Sequence, residues 1–217
     1  MVNLELIHRS DIRLFRQNYR VAKRIMDLGF VLLALPFIPL ILGLAGIAIY
    51  VDNPGPIFYT QLRTGKGGKR FKMYKLRTMK TNAEDIKEDL AHLNELTWPD
   101  FKIPNDPRIT RVGRILRKTS LDELPQVLNV LRGDMSLVGP RPTSFSSNTY
   151  SFWQTERLEV LPGITGLWQV SGRSDVDFSE RARLDIQYIE QQNIWLDLMI
   201  LLRTFSAVVS RRGAYIF

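Results

Sequence analysis

The chain contains no cysteine, and its two histidines, His8 and His92, lie far apart among 217 residues. Disulfides, thiolate-bound zinc, iron–sulfur clusters and thiol nucleophiles are therefore excluded, and a His-rich metal site or a Ser-His-Asp triad lacks its parts. Any chemistry falls to carboxylates, arginines, lysines or the backbone. Acidic residues are also in deficit: 22 Asp and Glu against 30 Lys and Arg give a net charge of +8. Such a surface favours anionic partners, namely nucleic acid, anionic lipid or phosphorylated substrates. The length suits one medium domain with its own core.

Between Asp27 and Asp52, the run Leu28 to Val51 carries no charge. A straight helix of that length would reach roughly 36 Å and would cross a hydrocarbon core of about 30 Å. Pro36 and Pro39 oppose straightness, because the carbonyls of Leu32 and Leu35 lose their i+4 donors on one side of the helix. The run then divides into two arms, Leu28 to Leu35 and Leu40 to Val51, each too short to cross alone. Arg9, Arg13, Arg16, Arg20, Lys23 and Arg24 precede it; Arg63, Lys66, Lys69, Arg70, Lys72, Lys75, Arg77 and Lys80 follow it. Two positive flanks on the cytoplasmic side require a re-entrant helix–break–helix over 28–51 rather than a single crossing. A kinked span and a cleaved signal peptide are the alternatives. The remaining organisation is a basic N-terminal helix over 1–27 and a catalytic domain over 52–217.

The turn-rich Asn53-Pro54-Gly55-Pro56 ends the apolar segment. Ile57 to Leu62 and Arg70 to Leu76 read as strands of a β-hairpin whose basic tip, Arg63 to Lys69, lacks the spacing of a nucleotide-binding loop. Residues 84–96 carry Ile86, Leu90, Leu93 and Leu96 near helical spacing and predict a solvated amphipathic helix. Glu180 to Gln191 predicts another. Ile194 to Ser210 predicts a more apolar helix, too short and too charged to span, that lies in the membrane surface or covers the core. Trp195 and Phe205 are its candidate interfacial anchors.

Chemically competent groups are densest from Asp106 to Pro142. Ser120-Leu121-Asp122-Glu123 has the spacing of a capping box, which places Asp122 and Glu123 at a helix start with Pro125 in its first turn. Adjacent acids there also serve simply to complement the helix dipole. Arg108, Arg111, Arg114, Arg117 and Lys118 precede the pair, and Arg141 follows between Pro140 and Pro142, which restrict its backbone. Arginine forks hold phosphate oxygens, one or two carboxylates suffice for Mg²⁺, and a carboxylate can attack phosphorus directly. The bland reading of the arginines is a basic face on anionic lipid.

These residues resemble the bacterial sugar transferases, monotopic polyprenyl-phosphate sugar-1-phosphate transferases. The resemblance rests on Lys23-Arg24 to Asp27, Phe71 to Met79, Asp106 to Thr110, Ser120 to Gln126, Gly133 to Pro142 and Pro162 to Gly166, in family order. It implies an α/β fold, mostly helical with a small β-hairpin, plus interfacial amphipathic helices around the re-entrant segment. It also implies transfer of a sugar 1-phosphate from a UDP-sugar to undecaprenyl phosphate, the first membrane step of exopolysaccharide, capsule or O-antigen assembly. Asp122 falls on the nucleophile position and Glu123 on a Mg²⁺ ligand position, with the metal shared by both. Lys75, Arg117 and Arg141 fall on phosphate-binding positions, and Asp185 on a further acidic position assigned to substrate binding.

The implied partners are membrane lipid and the two substrates, without nucleic acid, at the cytoplasmic face of the bacterial inner membrane; assembly into a homo-oligomer stays open. Two features depart from the family. Leu35-Pro36 stands where many relatives have Ser-Pro, and only about 27 residues precede the apolar run, as expected of a compact catalytic form. The segments Trp168 to Arg173 and Arg211 to Tyr215 resemble the branch that uses glucose or galactose. The competing class is a non-catalytic basic protein that docks on anionic lipid or nucleic acid, which leaves the apolar run unexplained.

Overall fold

A computed structural model describes residues 17–95, 103–171 and 177–209. It opens with two helices, α1 (Gln17–Ala34) and α2 (Ile38–Asp52), which meet at 62° across a three-residue break. Among the described residues no single helix is long and apolar enough to cross a membrane. Pro36 sits in the break. Pro39 instead lies in the first turn of α2, where its missing N–H would be unsatisfied anyway. The second arm therefore starts before Pro39, not after it. From Gln17 onward the basic leader and the first apolar arm form one helix, since α1 passes residues 27 and 28 without interruption; the leader's residues 1–16 lie outside the described residues.

One side of α1 is polar and faces protein. Arg24 donates to the carbonyls of Val130 (2.6 Å) and Leu131 (3.0 Å). Asp27 accepts from the Ser136 hydroxyl at 2.7 Å and from the Leu137 N–H at 3.2 Å. On α2, Ala45 and Ile49 pack with Leu76 and Leu116, whereas Leu40, Leu44, Ile47 and Val51, at the i, i+4, i+7, i+11 spacing of one helix face, are 62–77% exposed. An apolar stripe of this kind is an anomaly in water and ordinary in lipid.

Strands β1 (Phe58–Thr64) and β2 (Arg70–Leu76) pair antiparallel from Phe58↔Leu76 to Thr64↔Arg70, so β1 runs two residues beyond its expected end. Next come α3 (Arg111–Lys118), a 3₁₀ turn (Leu121–Gln126) and α4 (Val127–Arg132). A second sheet, unexpected from local pattern, pairs β3 (Ser136–Val138) and β4 (Gly163–Thr165) in parallel. Its chains approach too closely for side chains: a Cβ on Gly163 would fall 2.1 Å from the Gly139 nitrogen. The fold closes with α5 (Leu167–Val170), α6 (Phe178–Gln191) and α7 (Ile194–Val209).

Residues 84–96 are not the expected helix. They form successive turns and a short 3₁₀ piece at Ala91–Leu93, with Leu96 outside the described residues. Leu93 is exposed and Ile86 and Leu90 only half-buried. A helix depends on burying its apolar face, and here that burial is slight. Helix α7, by contrast, covers the core: Ile200 and Asp197 are fully buried while Trp195, Leu202 and Phe205 project outward, Trp195 at 81% exposure.

Asp197 fastens α7 to α1 and α6. It accepts from Tyr19 (2.9 Å), Lys23 (3.0 Å) and Tyr188 (2.7 Å). Removing a buried carboxylate strands its partners, so Asp197→Ala should cost about 3–5 kcal/mol. Denaturant unfolding of the detergent-solubilised protein measures this; a loss under about 1 kcal/mol would contradict the anchoring role.

Candidate active site

The 3₁₀ turn presents Asp122 and Glu123, both 4% exposed, at the junction of β2, α3 and the loop after β3. The expected capping box is absent. Ser120 adopts a left-handed conformation (φ 54°) and its side chain caps nothing; its carbonyl instead accepts from the Glu123 N–H. A capping residue needs extended backbone, which the sharp exit from α3 denies to Ser120. The acidic pair does occupy a first turn, that of the 3₁₀ element Leu121–Gln126, but without a side-chain cap.

Glu123 is bound on two sides. Its Oε1 accepts from Lys75 Nζ of β2 at 2.7 Å and from Arg141 Nη2 at 2.7 Å, and Arg141 Nη1 lies 3.4 Å from Oε2. Burial alone would raise this carboxyl, but Arg141 and Lys75 outweigh it and hold Glu123 well below the usual carboxylate range. Asp122 shifts the other way. Burial raises it, Lys75 at 4.0 Å opposes, and the neighbouring Glu123 charge raises it further. Asp122 Oδ1 is buried without a hydrogen-bond partner. Two adjacent carboxyls are thus pushed apart in basicity: one locked as an anion, one more basic with a free oxygen.

Arg117 reaches the pair from α3, and Asp122 is the largest favourable charge acting on its guanidinium. Its Nε donates to the Thr78 hydroxyl at 2.9 Å. Helix α3 lies this close only because residue 113 is glycine, since a Cβ there would fall 2.1 Å from the Thr78 carbonyl oxygen. Asp52, the last residue of α2, accepts from the Val112 N–H at 2.9 Å and so joins the apolar helix to the first turn of α3.

The other basic residues divide. Arg108 is buried in a two-pronged pair with Asp106 (2.9 and 2.7 Å), a structural contact. Arg111, Arg114 and Lys118 are exposed. Asp134 supports Asn129, whose amide bridges the Lys72 carbonyl and the Tyr74 N–H. The structure brings together Asp122, Glu123, Lys75, Arg117 and Arg141. Asp185 stands one step behind them: it is fully buried under Arg157 (2.5 Å), which donates in turn to the Arg141 carbonyl at 2.8 Å. Arg157 lies in none of the sequence motifs, so no local pattern points to it. Of the hexose-type segments, Trp168 and Gln169 are buried, and Gly172, Arg173 and 211–215 lie outside the described residues.

The donor set fits a hard divalent cation. Asp122 offers an unpartnered oxygen beside a second carboxylate. Among the described residues no three His, Cys, Asp or Glu side chains gather. A cation here would complete its shell from substrate oxygens and water, as Mg²⁺ does.

Asp185 yields a pH prediction. Burial pushes it up to about 6, with Arg157 opposing. Its folded pKa exceeds its unfolded value of about 3.9, so its contribution to stability is full below pH 4 and is lost as pH rises through about 6. Asp185→Asn should flatten the dependence of Tm on pH between about 4 and 6.5, whatever its absolute stability. An unchanged slope would show that Asp185 is ionised throughout.

The profile of the bacterial sugar transferases matches residues 18–211. An undecaprenyl-phosphate galactose phosphotransferase of Salmonella typhimurium is 50% identical over 166 residues, 74% of this chain and 35% of that protein. A UDP-galactose-lipid carrier transferase of Erwinia amylovora is 41% identical over 218 residues, 97% of this chain and 45% of its own length. The chain thus spans less than half of either. The exopolysaccharide production protein ExoY of Rhizobium meliloti is 40% identical over 201 residues, 90% of this chain and 88% of that protein. With the profile running through both the bent helix pair and the carboxylate site, the chain belongs to the bacterial sugar transferase family.

Proposed function

We propose that this chain is a phosphoglycosyl transferase that moves a hexose 1-phosphate from a UDP-hexose to undecaprenyl phosphate, by way of a covalent intermediate on Asp122. The observation that carries this reading is the contrast within the acidic pair. Asp122 keeps a free carboxylate oxygen, while Glu123 is held through Oε1 by both Lys75 and Arg141. The relatives' names, which specify undecaprenyl phosphate and UDP-galactose, supply the substrate class.

In the first half-reaction an Asp122 carboxylate oxygen attacks the phosphorus attached to the sugar. The bond from that phosphorus to the bridging diphosphate oxygen breaks, and UMP leaves with the electron pair, so no proton need be removed from the nucleophile. The polyprenyl phosphate oxygen then attacks the same phosphorus and the aspartyl bond breaks. The lipid diphosphate sugar is released and the carboxylate is regenerated. Lys75, Arg117 and Arg141 neutralise the phosphoryl oxygens, with Arg141 as a fork that a lysine would not replace. Mg²⁺ held by Asp122 and Glu123 would add charge stabilisation for the leaving phosphate.

The exposed stripe of α2 and the outward aromatics of α7 support a chain seated in lipid, with the bent pair entering and leaving by the cytoplasmic face. This geometry would hold the carboxylate pair near the headgroup layer, where a polyprenyl phosphate presents its charged end. Exopolysaccharide or capsule assembly is the process this step would start.

Two measurements test the reading. With Mg²⁺ and a panel including UDP-glucose and UDP-galactose, the solubilised protein should release UMP and gain the mass of one hexose phosphate. Asp122→Asn should lose both by about a thousandfold or more; retained turnover would remove Asp122 as nucleophile. Because the chain lacks cysteine, Asn18→Cys and Lys69→Cys each create a single label site. An impermeant maleimide should leave both unmodified in intact cells and modify both after permeabilisation. Labelling of one alone from outside would establish a crossing.

A further inference from the structure

The stretch from Pro140 to Phe145, which carries Arg141, lies outside every helix and strand. Pro140 and Pro142 have no N–H, so this loop cannot satisfy its own carbonyls with a regular ladder. Its carbonyls are bound from outside instead. Pro140 accepts from the Gly163 N–H (2.9 Å), Arg141 from Arg157 (2.8 Å), Pro142 from Arg63 (3.4 Å) and Thr143 from the Thr64 N–H (2.9 Å). Arg70 Nη2 reaches the Ser144 carbonyl at 2.9 Å, and the Phe145 carbonyl accepts from Arg70 Nη1 at 3.0 Å and from the Thr64 hydroxyl at 2.6 Å. Every carbonyl of the loop therefore has a donor in another part of the chain.

Two arginines hold the loop near its two ends. Arg157, in the 3₁₀ segment Phe152–Leu158, is buried and held through Nε and Nη2 by the Asp185 carboxylate, and it reaches the Arg141 carbonyl. Arg70 begins β2, and its side chain is exposed. Its Nη1 also donates to the Thr64 hydroxyl (2.7 Å) and its Nη2 to the Leu62 carbonyl (3.0 Å), so each terminal nitrogen bridges hairpin and loop. All of these acceptors are neutral oxygens, so the contacts supply geometry rather than charge neutralisation. A guanidinium suits that task because its donors are fixed relative to one another, which a lysine ammonium does not offer.

We propose that Arg70 and Arg157 are positioning residues that splint this loop, so that the Arg141 guanidinium meets Glu123 and the transferring phosphoryl group in one fixed orientation. The proposal rests on the transferase reading and extends it to two side chains that hydrogen-bond to neither Asp122 nor Glu123. A donor aimed in advance stabilises developing charge without reorganising at the moment of reaction, and a displacement of about 1 Å costs on the order of a hundredfold in rate. The prolines on either side of Arg141 restrict the local backbone but do not fasten it to the hairpin. That task falls to Arg70, with Thr64 beside it. Asp185, by fixing Arg157, supports the opposite end.

Because the chain lacks cysteine, Ser144→Cys carries a single nitroxide label at an exposed position of the loop, and Gln191→Cys a control label at the end of α6. In the detergent-solubilised full chain, Arg70→Met and Arg157→Lys should each raise the mobility of the label at 144 in its EPR spectrum and leave the label at 191 unchanged. Without labels, each should lower kcat for UMP release from the UDP-hexose, with undecaprenyl phosphate as acceptor, by about fivefold or more. In an Arg141→Lys background the same substitutions should cost less than about twofold, because a splint has no effect once the fork it aims is gone. A general structural role would lower both backgrounds alike. Either variant that meets the label and rate criteria supports the proposal, so one poorly folding variant does not decide the matter. An unchanged label at 144 in both variants, rates within about twofold of the parent in both, or equal losses in the two backgrounds overturns it. UMP release by the parent chain separates the two ideas. With release, failure of these criteria removes the splint and leaves the transferase. Without release the transferase reading falls, while a label loosened at 144 alone leaves the splint.

Discussion

The site depends on one buried carboxylate shared by two cations. Glu123 joins Lys75 of the hairpin to Arg141 of the loop after β3, and each charge would pay several kcal/mol for burial without the others. The three therefore assemble together or not at all. Their union joins hairpin, 3₁₀ turn and Pro-Arg-Pro loop at the site, alongside the hydrogen bonds that Thr64 of the hairpin makes to the Thr143 and Phe145 carbonyls of that loop. It also separates the two acids: Glu123 serves as counter-ion, while the adjacent Asp122 keeps a carboxylate oxygen without a hydrogen-bond partner.

Around this centre, polar contacts tie the bent apolar helix pair to the elements that carry the acidic pair. Asp27 holds α1 against β3, Asp197 holds it against α6 and α7, and Asp52 ties the end of α2 to the start of the helix that carries Arg117. A carboxylate anchored at three points resists rotation better than apolar packing, which is non-directional. The bent pair is thus rigidly indexed to the arginines around the acidic pair, although its outer face is apolar.

The legible parts were those written in local chemistry. The bend follows from the proline pair, although the second helix begins at Ile38 with Pro39 in its first turn rather than at Leu40; the hairpin follows from two runs around a glycine-rich tip, and the acidic pair from its motif and basic surroundings. Where local signals failed, tertiary demands had overridden them. Residues 84–96 have helical spacing but little to bury it against, and Ser120 has the letters of a cap but a backbone turned left-handed by the exit from α3. The β3–β4 pair gave no signal because three-residue strands are too short for a period to show. Their pairing is set by close approach at Gly139 and Gly163, residues 24 positions apart.

By itself, the sequence determined the stock of chemistry: no thiols, almost no imidazole, an apolar run broken by proline, and adjacent acids among arginines. These are properties of residue types and neighbours, so they survive without coordinates. Only the tertiary structure decided how the two acids differ. It also set Arg108 apart in a buried structural pair, put Asp185 beneath Arg157, and brought Arg70 and Arg157 to one loop. Those outcomes depend on which charges are buried together, and desolvation is a property of the packed chain that no local pattern encodes.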